Sequence, residues 1–104
     1  MDFNVVLTDT AEIQIGKILD YMIYELRNTQ AAYNVEQDMR ETVRKLSYTA
    51  GSFKLCDDPK LRELEYRTIH LKRHQYFMLY KIVDTCVYVV GVYHDLQDYE
   101  NATR

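Results

Sequence analysis

The residues best equipped for chemistry are His70, His74 and His94, with Arg67, Lys72, Arg73 and Tyr99 around them. An imidazole can give or take a proton near neutrality, and guanidinium or ammonium groups can hold a phosphate. All of them fall between Tyr66 and Tyr99. From Tyr66 to Lys81 that stretch carries Arg67, Lys72, Arg73 and Lys81 and no acid, although the chain has a net charge of −3. It reads as consecutive strands over Glu65–Lys72, Gln75–Val83 and Cys86–His94.

Strand pairing decides which of these side chains meet. A two-residue turn at Asp84-Thr85 pairs Val83 with Cys86, Phe77 with Val92, Tyr76 with Tyr93 and Gln75 with His94. A turn centred on Arg73-His74 pairs Lys72 with Gln75 and His70 with Phe77. Paired residues share a face. One face then carries His70, Lys72, Phe77, Leu79, Val92 and His94, and the other Arg67, Ile69, Met78, Tyr80, Val89 and Tyr93.

His70, Lys72 and His94 thus gather at one end of the sheet. An ammonium beside two imidazoles favours their neutral form, and a neutral imidazole can act as a general base. The plainer alternative is a polar sheet end, solvated or used for binding. A one-residue error in either turn separates the cluster. Both faces are largely apolar, so one packs on helices and the other must meet a partner or another part of the chain. The four-residue spacing of His70 and His74 signals a metal only on a helix, and here it spans a turn. No metal site or cofactor motif is expected.

The preceding chain must position this sheet. Phe3–Leu7 is a short apolar run, read as a first strand. Thr8-Asp9-Thr10, with Glu12 following, marks a helix start. Ala11, Ile15, Ile18, Leu19, Met22, Ile23 and Leu26 form one stripe of a helix ending near Asn28. Thr29 then caps a second helix over 30–46, striped by Ala32, Val35, Met39, Val43 and Leu46. The short break predicts an antiparallel helical hairpin. Phe53–Cys56 is a candidate edge strand, and 60–65 a loop or single helical turn. The fold class is α+β: an N-terminal strand, an antiparallel two-helix hairpin, then a three-stranded antiparallel meander.

At 104 residues the chain is one domain, 1–104, burying roughly 65% of its unfolded surface. The acidic balance means any nucleic-acid contact must come from a local patch. Cys56 and Cys86 are too few and too far apart for a disulfide framework and fit a reducing compartment. No signal segment and no apolar run of membrane length appear, so a cytoplasmic protein is expected.

Certain stretches resemble a known family. They are Leu7-Thr8 opening the first helix, Ala31-Ala32 near the start of the second, and Leu61-Arg62 before Tyr66-Arg67. Tyr76-Phe77-Met78-Leu79-Tyr80 and Tyr93-His94-Asp95-Leu96-Gln97-Asp98-Tyr99 complete the set. In this order they resemble toxins of the RelE/ParE superfamily, from bacterial type II toxin–antitoxin systems, over almost the whole chain.

The resemblance implies a RelE/ParE-like fold and a cognate antitoxin that masks the working surface. It implies growth arrest by ribosome-dependent mRNA cleavage or, as in ParE-like members, by non-catalytic inhibition of DNA gyrase. A degenerate toxin kept as an antitoxin partner is a further alternative. For cleavage, the resemblance makes His94 the acid/base, assisted by His70 or Tyr99, with Arg67, Lys72 and Arg73 on phosphates. Several ribosome-dependent members carry arginine where Phe77 and Gln97 stand here, which leaves enzymatic activity open.

Overall fold

A computed structural model describes residues 2–96. Strand β1 (Asn4–Leu7) leads into helix α1 (Asp9–Asp20), which widens into a π-helical turn over Tyr21–Glu25. Helix α2 (Thr29–Thr49) returns antiparallel and ends in a 3-10 turn, Ala50–Ser52. A short helix α3 (Pro59–Glu63) precedes strands β2 (Tyr66–His70), β3 (Tyr76–Val83) and β4 (Cys86–His94). The sheet order is β1-β4-β3-β2, with β1 parallel to β4 and the other pairs antiparallel. The expected α+β arrangement is present; the parallel pairing of the first strand with the last is added by the structure.

Local chemistry sets the helix ends. The Thr8 hydroxyl caps α1 by accepting from the Ala11 amide at 3.2 Å, and donates to the Val89 carbonyl at 3.1 Å, tying the helix start to β4. Asn28, rather than Thr29, caps α2, its Oδ1 accepting from the Ala31 amide at 3.0 Å. Between the helices, Leu26 N–H reaches the Tyr21 carbonyl and Asn28 N–H the Met22 carbonyl. Arg27 sits at φ 50°, a left-handed conformation normally left to glycine, so the hairpin closes at a cost of about 1–2 kcal/mol.

The register corrects one expectation. Val83 pairs with Cys86 and His70 with Phe77, as the turns imply. Beyond Leu79–Gly91, however, the next pair is Tyr80–Val89, which leaves Val90 as an extra residue on β4. Such a bulge moves every later side chain to the other face. Phe77 therefore pairs with Tyr93, and Tyr76 with His94, instead of Val92 and Tyr93 respectively. The sequence hint is Gly91, directly after Val90, because an isolated glycine inside a strand often marks a bulge or a close approach.

Both sheet faces are covered by the chain itself. Ile69, Leu71, Met78, Tyr80, Val87, Val89 and Val92 pack on α1 and α2, against Ala11, Val35, Met39 and Leu46. Phe77, Leu79 and Tyr93 form a second cluster with Cys56 and with Leu61 of α3. The apolar far face therefore meets another part of the chain. Tyr93 lies so close over Gly91 that a Cβ there would come within 2.5 Å of its ring, so any larger residue must push that ring aside. No helix among the described residues is long and apolar enough to cross a membrane.

Candidate functional site

The structure separates the residues that a one-face register brings together. His70 stacks beside Phe77 on the far face, ring centroids 5.4 Å apart, and its Nδ1 lies 3.3 Å from Asp95 Oδ1. His94 turns to the helix side, edge-on to Tyr76 at 5.3 Å. The expected cluster of His70, Lys72 and His94 is therefore broken by the bulge. His70 and Lys72 still share one cleft against α2, while His94 lies in another against α1.

The His94 cleft encloses about 340 Å³ between α1 and the ends of β3 and β4. Gln14 and Lys17 line it from α1, Tyr21 from the π-helical turn, and Tyr76 and His94 from the sheet. Gln14 Oε1 accepts from the Val92 amide at 2.7 Å, which fixes helix to strand. Burial, reinforced by nearby Tyr21, raises the Tyr76 phenol above its ordinary pKa, so it stays a proton donor at neutrality. The Leu96 amide donates to His94 Nδ1 at 3.2 Å. That contact occupies Nδ1 and leaves Nε2 as the ring nitrogen without a hydrogen bond among the described residues.

The basic residues are largely committed. Arg67 is half-buried and donates to the Phe53 carbonyl, holding the segment before α3 where Leu55 bridges to Arg67. Arg73 pairs with Glu41 of α2 at 3.1 Å. His74 Nδ1 lies 2.7 Å from Asp38 Oδ2, which also accepts from the Arg73 amide at 2.9 Å. Lys72 is exposed and, among the described residues, carries no ion pair. Phe77, where the resemblance puts an arginine, is buried with its ring 5.8 Å from that of Tyr93. Tyr99 and Gln97 lie outside the described residues.

Asp38 is the residue that pattern reasoning passes over. It is 1% exposed, and among the described residues its Oδ1 has no partner. Burial pushes its carboxyl pKa up, but the His74 hydrogen bond, the Arg73 amide and the charge of His74 outweigh that and hold it below its ordinary value. Asp38 stands between Val35 and Thr42 on the stripe that continues to Leu46. An acid on a buried helical stripe demands a partner, and that was the signal available in the sequence.

A third cleft, about 400 Å³ and mainly apolar, runs between α1 and α2 over the sheet. Leu7, Ile15, Met39, Val43 and Met78 line it, with Arg40 among the polar lining residues. The described residues hold no group of three or more His, Cys, Asp or Glu side chains placed to bind a metal.

No family model and no curated protein matches this chain. A solved structure does: a chain of the chromosomal ParDE TA system from P. aeruginosa superimposes with a TM-score of 0.72 at 18% identity, covering 88% of this chain and 95% of that one. The likeness agrees with the RelE/ParE resemblance, and the strand, helical hairpin and meander of this chain form a fold shared with a component of a ParDE toxin–antitoxin system.

Proposed function

We propose that this chain is the toxin of a type II toxin–antitoxin system, of RelE/ParE type, held inactive by a cognate antitoxin. The observation that carries this reading is the near end-to-end structural likeness to a ParDE chain. The apolar cleft between α1 and α2 suits the apolar face of an amphipathic antitoxin helix. Action in the cytoplasm follows from such a role.

On the target, we infer a ParE-like mode: inhibition of DNA gyrase by binding. RNA cleavage needs an acid, a base and cations around one phosphate. Here His70 and His94 occupy opposite sheet faces, and Arg67 and Arg73 are engaged within the chain. Ribosome-dependent mRNA cleavage is the second reading, favoured by the cleft where His94 meets Lys17, Tyr21 and Tyr76.

Inducing the chain without its antitoxin, while mapping messenger ends and DNA topology in the same cells, separates the readings. Arrest with relaxed or broken DNA and intact messages is expected, with purified protein blocking supercoiling in vitro. In-frame message cuts that disappear in His94→Ala would replace gyrase with the ribosome. Absence of arrest would leave a degenerate toxin that serves only to bind its antitoxin.

A further inference from the structure

The cleft of about 340 Å³ between α1 and the ends of β3 and β4 is rich in uncommitted donors. Among the described residues no carboxylate lines it, and Lys17, exposed on α1, is in no ion pair. Gln14 spends its carbonyl on the Val92 amide, so its NH2 is the end left for a ligand. The Tyr76 phenol, half-buried and held protonated, forms no hydrogen bond among the described residues.

The apolar surface of the cleft has a definite shape. Ile18 and Val92 supply aliphatic surface. The rings of Tyr76 and His94 stand at 83° to each other with centroids 5.3 Å apart, and so make two walls of a corner. Tyr21 adds a third ring, and it opens the π-helical turn at this point of the chain. Helical widenings of this kind recur at functional sites.

We propose that this cleft binds a small aromatic monocarboxylate, its ring in the Tyr76–His94 corner and its carboxylate on Lys17 and the Tyr76 hydroxyl. A flat ring gains from stacked or edge-on aromatic neighbours. One cation matches one negative charge, whereas a phosphate would bring a second charge against aliphatic surface with nothing to offset it. The bond between Gln14 and Val92 ties helix to strand before any ligand arrives, so little ordering is required. Such a ligand bridges α1 to the sheet and stabilises the folded chain. Its binding to the purified chain is independent of the toxin reading and of the cellular target.

Titration of the isotope-labelled chain with benzoate, followed by amide shifts, tests this, with benzamide as the neutral probe of the same shape. Benzoate should saturate with a dissociation constant of about 1 mM or below, moving the amides of Gln14, Tyr76 and Val92. Benzamide should bind about tenfold more weakly. Lys17→Met should weaken benzoate by about tenfold and erase its advantage over benzamide. Tyr76→Phe keeps the ring and should weaken benzoate about 5- to 10-fold. Lys17 is exposed, so Lys17→Met should leave the unfolding midpoint without ligand unchanged. Absence of saturable binding, equal affinity for benzamide, shifts confined to other parts of the chain, or tighter binding of uridine monophosphate would each overturn the proposal. The last result would make the cleft a nucleotide site instead.

Discussion

The two faces of one sheet are covered in different ways. The face carrying Met78 and Tyr80 meets α1 and α2, whose apolar stripes are long and regular. Among the described residues, the face carrying Phe77, Leu79 and Tyr93 packs on Leu61 of the five-residue α3 and on Cys56. That second cover is fastened by individual polar contacts. Asp58 caps α3 through the Leu61 amide at 3.1 Å, and Arg62 reaches the Cys56 carbonyl at 2.9 Å. The Cys56 amide donates to the Tyr66 carbonyl, and Arg67 holds Phe53. Burial of a continuous stripe makes one face cooperative with the whole fold. Point fastening makes the other able to open by itself.

The sharpest break of that contrast is a cavity on the helix side. Met78 is fully buried there, and Met78→Ala should cost about 2–5 kcal/mol in urea unfolding, with every probe of the fold shifting together. Asp38→Ala should cost about 1.5–3 kcal/mol, because it strips charge-assisted bonds from His74 and the Arg73 amide. Its folded carboxyl pKa is lowered, so this contribution is complete above the ordinary carboxylate range and lost as pH falls through the lowered value. The gap between wild type and variant should therefore be constant at neutral pH and close in acid. Unfolding curves across that range read it directly.

On the far face, Gly91→Ala should cost about 1–3 kcal/mol by forcing the Tyr93 ring aside, and a second substitution, Tyr93→Leu, should recover part of it. The smallest effect belongs to the α3 cap. Asp58→Ala should cost about 1 kcal/mol, seen as faster amide exchange over 53–65 with the helix-side amides unchanged. Equal acceleration on both faces would show that the two covers form one cooperative unit.

The helix-side face was legible in advance because its information is periodic. Ala32, Val35, Met39 and Leu46 announce a buried stripe, and the short break before α2 announces a hairpin. The turn at Asp84 was legible too: it takes φ 55°, which aspartate tolerates better than most residues. What escaped was singular rather than periodic. Val90 bulges beside Gly91, a lone glycine that hints at an irregular strand without saying where the register shifts, and that one residue carries His94 away from His70. The cover over Phe77 depends on α3, whose Asp58-Pro59 start is a good local signal but whose five residues show no period. Of the residues expected on phosphates, Lys72 stays uncommitted, whereas Arg67 and Arg73 are spent on carbonyl and carboxylate partners supplied by distant parts of the chain.

The parallel pairing of β1 with β4 has a consequence in time. Asn4 lies opposite Cys86, so among the described residues the first strand made finds its sheet neighbour in the last, β4. Closing so long a loop is slow and gives no reward until β4 exists. At about 5–20 residues per second, a ribosome leaves β1 waiting for several seconds while the helices form beside it. A truncation series followed by circular dichroism should gain its strand signal only when β4 is included. Under the proposed role, chains abandoned midway would be harmless, and lethality would arrive with the last strand synthesised.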